Sequence, residues 1–172
     1  MKLGRTPPRP MSTSAASPRA RPPNLPPTLP PPLSLGALAN IAGFHLARAS
    51  VCTQDAYERH LGAPLQLSKT EFSLLMLLWA NLPVTPKRLL RALSLTAPKL
   101  SLLVDGMAGR GLLRRERNPA DGRSQHLVLT DKGRRLARSA ADAAVPMEQE
   151  LQARLTHAEH AMLIELLGKL AG

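Results

Sequence analysis

From residue 35 onward, apolar positions recur with a helical period, interrupted once by a short stretch of strand-like patterning. Leu35, Leu38, Ile41, Ala42, Leu46 and Ala49 recur at three- and four-residue spacing and predict a first helix, which Gly62 and Pro64 are expected to close. The run SKTE, Ser68 to Glu71, is a capping-box pattern that satisfies otherwise orphaned backbone N–H groups. It opens a second helix carrying Phe72, Leu75, Leu78 and Trp79, which stops before Pro83. Thr85 and Pro86 then place a cap and an N1 proline ahead of Leu89, Leu90 and Leu93. After a turn at Ser94 and Leu95, Thr96 is expected to cap a fourth helix with Leu100, Leu103, Val104 and Met107 buried, failing near Gly109 and Gly111.

The period then changes. Leu112 to Arg117 and Gln125 to Leu129 read as two short strands, joined by the turn formers Asn118, Pro119, Ala120, Asp121 and Gly122. Thr130 caps a long helix with Leu136, Ala140, Ala143, Met147 and Leu151 on one stripe and an expected bend at Pro146. Thr156 to Glu159 repeats the capping box and starts a last helix bearing Met162, Leu163, Leu166, Leu167 and Leu170. Two short helices, a tight turn and a hairpin spell a winged helix-turn-helix. The expected class is mainly α with a small β wing. The reading head lies at about 65–135, between flanking helices at about 35–61 and 131–171.

Residues 1–34 differ in kind. They contain eleven of the seventeen prolines, together with Lys2, Arg5, Arg9, Arg19 and Arg21 and no acid. Such a segment lacks the apolar surface needed to offset chain entropy and reads as a disordered basic arm. Three readings stay open for it: assistance to DNA binding, an inert tail, or an overextended start with translation beginning at Met11 or later.

Charge sharpens the functional reading. The chain carries a formal net charge of +11, and residues 85–138 hold thirteen bases against Asp105, Glu116, Asp121 and Asp131. Positive charge is thus concentrated on the segment shaped to read a polyanion. The second helix of a helix-turn-helix presents its N-terminal residues to base edges in the major groove. Here those residues are Thr96, Ala97, Pro98, Lys99, Ser101 and Leu102. Lys87, Arg88 and Arg91 would flank the phosphate backbone, and Arg110, Arg114, Arg115 and Arg117 would extend the basic strip to the wing. At the wing tip Arg123 is placed to enter a minor groove, oriented by Asp121. A salt bridge between these two that only shapes the turn is the plainer alternative.

These pieces in this order resemble the MarR family of transcriptional regulators over residues 35–172. The resemblance rests on Leu67 and Ser68, the run LSLTAPKLSLLVD from Leu93 to Asp105, then Gly111 to Leu113, Asp121 to Arg123, and Leu129 to Gly133. It implies a bacterial homodimer built by the first and last helices, with Leu38, Ile41, Leu151, Leu163, Leu166, Leu167 and Leu170 as dimerisation residues. It also implies a pseudo-palindromic double-stranded operator and a repressor released by a small-molecule effector. The chain departs from the family at Ser94, where glycine is common, and at Pro98, Leu102 and Gly106, where polar or basic residues are common.

The remaining chemistry is sparse. Cys52 is the single cysteine, which excludes an internal disulfide and a cysteine-built zinc site; it is expected to be a buried, inert thiol. His45, His60, His126, His157 and His160 fall at no metal-binding spacing, and no nucleophile–base pair or phosphate-cradling glycine loop appears. No cofactor, no metal and no enzymatic activity are therefore expected. No apolar run reaches the length of a membrane helix and no secretory signal opens the chain, so the cytoplasm is the expected compartment. The competing functional class is a winged-helix interaction module that has lost specific DNA binding.

Overall fold

The structure is a computed structural model that describes residues 33–81, 83–117 and 125–172. The chain divides into two units, Met1–Ala39 and Asn40–Gly172. In the first, the described residues are 33–39, where a short 3-10 turn begins at Gly36. The second holds six helices and a two-stranded sheet among the described residues.

Helix α1, Ala42–Tyr57, does not end at Gly62 and Pro64 as its sequence predicts. It widens into a π turn over Glu58–Gly62, takes one more helical turn over Ala63–Leu65, and closes at Gln66 with φ 52°. Pro64 lies in the first turn of that last segment, where a missing N–H costs least. Only the C-terminal part of α1 meets the core: Ala56, Tyr57 and the following Leu61 are buried, whereas Leu46 and Val51 are exposed. Cys52 lies on that uncovered stretch and is exposed, contrary to the expected buried thiol. The Tyr57 hydroxyl donates to the Leu67 carbonyl at 2.8 Å. Burial, with the charges of Glu71 and Glu58, pushes its pKa up to about 12, so it remains a donor.

Helix α2, Lys69–Ala80, starts with both halves of the Ser68–Glu71 capping box formed and buries Leu74, Leu75 and Leu78. Helix α3, Pro86–Ala92, and helix α4, Ala97–Gly109, form the helix-turn-helix. Thr85 and Thr96 occupy the N-cap positions in extended conformation, but neither side chain accepts the expected capping bond. At Thr85 the Arg88 N–H is taken by the threonine's own carbonyl at 3.1 Å. At Thr96, Pro98 removes one of the two N–H groups a cap would serve. Leu100, Val104 and Met107 are buried, and Leu103 is half-buried rather than fully covered. The turn between α3 and α4 sets Ser94 at φ 51°, a left-handed conformation that costs a residue with a Cβ atom.

Strands β1, Leu113–Arg117, and β2, Gln125–Leu129, pair antiparallel, from Leu113 opposite Leu129 to Arg117 opposite Gln125. Val84 adds an isolated bridge, its carbonyl accepting from the Leu127 N–H at 2.9 Å. The predicted wing-tip pair Asp121 and Arg123 lies outside the described residues.

The wing is sutured to the next helix with little slack. Gly111, at φ 70°, turns the chain out of α4, and Thr130 hydroxyl donates to the Gly111 carbonyl at 2.6 Å. The same hydroxyl accepts from the Gly133 N–H at 3.1 Å, capping helix α5, Asp131–Gln152. Gly133 sits so close to β1 that a Cβ atom there would lie 1.9 Å from the Leu112 carbonyl oxygen. Helix α5 runs through Pro146 as one continuous helix. Its buried residues are Gly133, Ala137 and Ala140; Leu136, Ala143 and Met147 of the predicted stripe pack only partly against the core. The small residues face inward because α5 approaches the reading head so closely. Helix α6, His157–Ala171, has both halves of its Thr156–Glu159 capping box and no buried residue.

Two substitutions probe these contacts by chemical denaturation. Gly133→Ala is expected to destabilise the fold by about 1–3 kcal/mol, because the neighbour it meets is backbone. Ser94→Gly is expected to stabilise it by about 0.5–1 kcal/mol by relieving the left-handed turn.

Candidate nucleic-acid interface

The first turn of α4 is a ledge projecting from the core. Leu100 and Val104 are buried at 3% exposure each, which turns Thr96, Ala97, Pro98, Lys99, Ser101 and Leu102 outward, all exposed. Leu102 stands out at 77% exposure, an unusual position for a large apolar group. With no threonine cap and no proline N–H, the Ala97 and Lys99 N–H groups at this end have no hydrogen-bond partner among the described residues. Together with the helix dipole they favour an anion. Lys87, Arg88 and Arg91 on α3 are exposed beside the ledge. Between the start of α2 and the outer face of α4 runs a groove of about 400 Å³, bordered by Thr70, Leu95, Lys99, Leu102 and Gly106. The two departures at Leu102 and Gly106 thus share one wall.

The arginines of the basic strip are not equivalent. Arg114 pairs with Glu116 on the same face of β1, at 2.6 Å. Arg115 reaches back to Asp105 of α4 at 2.6 Å, and Asp105 also accepts from the Ser101 hydroxyl at 3.4 Å. One carboxylate therefore ties the wing to the reading helix and holds a reading-face hydroxyl. Arg110 does not extend the strip. It turns the other way, pairing with Glu71 at 2.9 Å and donating to the Gln66 carbonyl at 2.9 Å. Sequence reasoning gave Asp105 and Glu71 no part in the site, because each acts on a partner distant in the chain. For Asp105 the local clue was its place as an acid inside an otherwise basic segment.

Glu71 is the most constrained of these groups. Burial pushes its carboxyl up, but the Ser68 N–H and hydroxyl and the Arg110 guanidinium outweigh that and hold it below its ordinary 4.5.

Two carboxylates, Glu150 and Glu148, anchor α5 to its flanking helices. Glu150 receives Arg59 and His60, the latter at 3.1 Å, and His160, half-buried, meets Glu148 at 2.6 Å. Among the described residues no group of three or more His, Cys, Asp or Glu could hold a metal ion. Nor is any described helix long and apolar enough to cross a membrane.

Comparison with known proteins agrees with this geometry. The sequence profile of the MarR family matches residues 67–125. A structure of the transcriptional repressor CouR bound to a 23-mer DNA duplex is 32% identical. The match covers 82% of this chain and 99% of that one, with a TM-score of 0.75. A structure of CouR bound to p-coumaroyl-CoA is 30% identical over 81% of this chain and 98% of that one, with a TM-score of 0.70. Among curated sequences, the transcriptional regulator HosA of Escherichia coli O111:H- is 26% identical over 60% of this chain and 77% of its own length.

The Glu71 cluster makes a pH-dependent contribution. A carboxyl whose pKa is depressed on folding stabilises the fold above its unfolded value, and that stability is lost as pH falls through the folded one. Unfolding free energy measured from pH 6 to pH 3 is therefore expected to fall less steeply in Glu71→Gln than in the wild type. Parallel curves would remove Glu71 from the acid-sensitive set.

Proposed function

This chain belongs to the MarR family of transcriptional regulators, and we propose that it acts as a homodimeric repressor. In this reading it holds a pseudo-palindromic double-stranded operator until a small-molecule effector releases it. The observation that carries the reading is the exposed first turn of α4, set in a segment dense in positive charge. Its relatives are transcriptional regulators rather than enzymes.

The division of labour follows from the side chains. Lys99 can reach a guanine or a phosphate, while the Thr96 and Ser101 hydroxyls serve either. Ala97 and Leu102 suit thymine methyl groups, and Pro98 stiffens the turn that presents them. Lys87 and Arg88 neutralise flanking phosphates. Arg114 and Arg115, ion-paired in the free chain, can exchange their carboxylates for phosphates, since such exposed pairs are worth little. Arg123, oriented by Asp121, inserts into the minor groove. So few hydrogen-bonding groups on α4 shift sequence discrimination toward the wing and toward DNA shape.

The dimer reading rests on uncovered leucines. Leu38, Ile41, Leu163, Leu166, Leu167 and Leu170 are between 38% and 71% exposed, and Leu151 is half-buried. Large apolar side chains left exposed in that number fit pairing with a second copy. Residues 1–34 would be an arm and 35–172 the regulator proper, working in the cytoplasm where its operator lies. A relative whose structure holds p-coumaroyl-CoA supports the small-molecule effector in this reading.

Fluorescence anisotropy on DNA upstream of the protein's own gene, at stated salt, tests this reading. Lys99→Ala and Arg123→Ala are each expected to weaken binding by about 1–3 kcal/mol, and Lys87→Ala to lower the salt slope by about 1. Unchanged affinity in both Lys99→Ala and Arg123→Ala would sink this division of labour, and loss of all binding to nonspecific competitor would favour an interaction module instead. Leu163→Lys combined with Leu167→Lys is expected to yield a monomer in sedimentation.

A further inference from the structure

Ser101 is the residue of the reading face whose hydrogen-bonding direction the chain itself sets. It stands one helical turn before Asp105, on the same side of α4, and its hydroxyl lies 3.4 Å from Asp105 Oδ2. A carboxylate has no hydrogen to give, so in this contact the proton belongs to Ser101 and points at Asp105. The hydroxyl is left to turn its oxygen lone pairs toward a partner. Asp105 is itself held: its Oδ1 receives the Arg115 guanidinium of β1 at 2.6 Å, which leaves Oδ2 to Ser101. Asp105 is also the one acid within α4 and is 55% exposed, so its charge bears on whatever approaches Ser101. Lys99, two residues earlier, is the opposite case, an ammonium with donors and no acceptor.

We propose that Asp105 is a positioning residue for base recognition. By taking the Ser101 proton it makes Ser101 an acceptor that reads an amino group, adenine N6 or cytosine N4, in the major groove. This role deepens the DNA-binding reading above and rests on α4 entering that groove. Guanine O6 and N7, thymine O4 and phosphate oxygens only accept, so none of them bonds to a hydroxyl whose proton is already given to Asp105. The negative charge behind Ser101 disfavours the same groups by repulsion, whatever the length of the hydrogen bond. When Arg115 exchanges Asp105 for a phosphate, the carboxylate loses its counter-charge and holds the Ser101 proton more firmly. The direction of the hydroxyl therefore survives docking of the wing. Every base pair presents one amino and one keto base in the major groove, so the preference shows as strand orientation. At the pair facing Ser101 it is A·T over T·A and C·G over G·C, with the contacted base written first.

The test is selection of binding sites by the full-length protein from randomised DNA duplexes, with competition anisotropy on single-pair variants of the selected site. The wild type is expected to enrich a site, and Ser101→Ala to lose base preference at the pair that Ser101 faces. At that pair the wild type is expected to favour the amino base over its keto partner by about fivefold. Asp105→Asn replaces the carboxylate with an amide that can donate to Ser101 as well as accept from it, and should bring the two orientations to equal affinity. Arg115→Ala leaves Asp105 and Ser101 in place and should weaken binding while keeping the orientation preference. Ser101→Ala altering no pair, a keto base favoured at the pair it alters, or a wild-type preference kept in Asp105→Asn would each overturn the proposal. So would loss of the preference in Arg115→Ala, because Asp105 would then act only by tying down the wing. In all of these cases the wild type still selects a site and the DNA-binding reading stands; enrichment of no sequence by the wild type would remove both.

Discussion

The approach of α5 to the base of the wing sets the geometry on which the rest of the molecule depends. Thr130 reaches both ways there: its hydroxyl closes the chain leaving α4 at Gly111 and caps the helix that follows β2. Gly133 then lets α5 come within a distance of Leu112 that no side chain would allow. The wing's two feet and the start of a 22-residue helix are thereby joined through a single residue. Because close-packed interiors transmit displacement rather than absorb it, a shift of α5 moves the wing, and a shift of the wing moves α5. Small buried residues at Ala137 and Ala140 extend the same constraint for two turns. Larger side chains there would prise the helix from the head.

On this frame two carboxylates distribute the arginines. Asp105 draws Arg115 onto the reading helix and Glu71 draws Arg110 away from it, although both arginines stand in one basic stretch of sequence. The first pair is open to solvent on both sides, so it steers a side chain more than it stabilises a fold. The second is more enclosed, with Glu71 at 19% exposure and committed to a helix cap as well. A charge map drawn from sequence counts both arginines alike; the structure keeps one beside the exposed side of α4 and uses the other to hold helices together.

What could be read from the chain alone was whatever is encoded within a few residues. Both capping boxes, at Ser68 and Thr156, formed as their four-residue patterns predict, and so did the strand pair and the turn at Ser94. Each of these is a local match between side chain and backbone. The outward set on α4 was equally readable, since one helical period fixes which side chains face away from Leu100 and Val104. The features that escaped depend on what arrives from elsewhere. Whether Cys52 is covered depends on how far α5 overlaps α1, and which stripe of α5 is buried depends on the close contact at Leu112. The partner of Arg110 lies 39 residues away. At Thr96, Pro98 removes an N–H that the threonine cap would serve, and at Thr85 the threonine's own carbonyl takes the Arg88 N–H.

Helix α6 buries none of its residues in the single chain, yet it is 15 residues long and rich in leucine. A helix of that length receives little support from its own backbone in water, so its order must be supplied by whatever covers its apolar side. Folding of this segment and association with another surface are then one process rather than two. If that surface is a second copy, as proposed above, the protein has no single melting temperature: its apparent stability rises with its own concentration, and dilution alone would begin to undo its last helix.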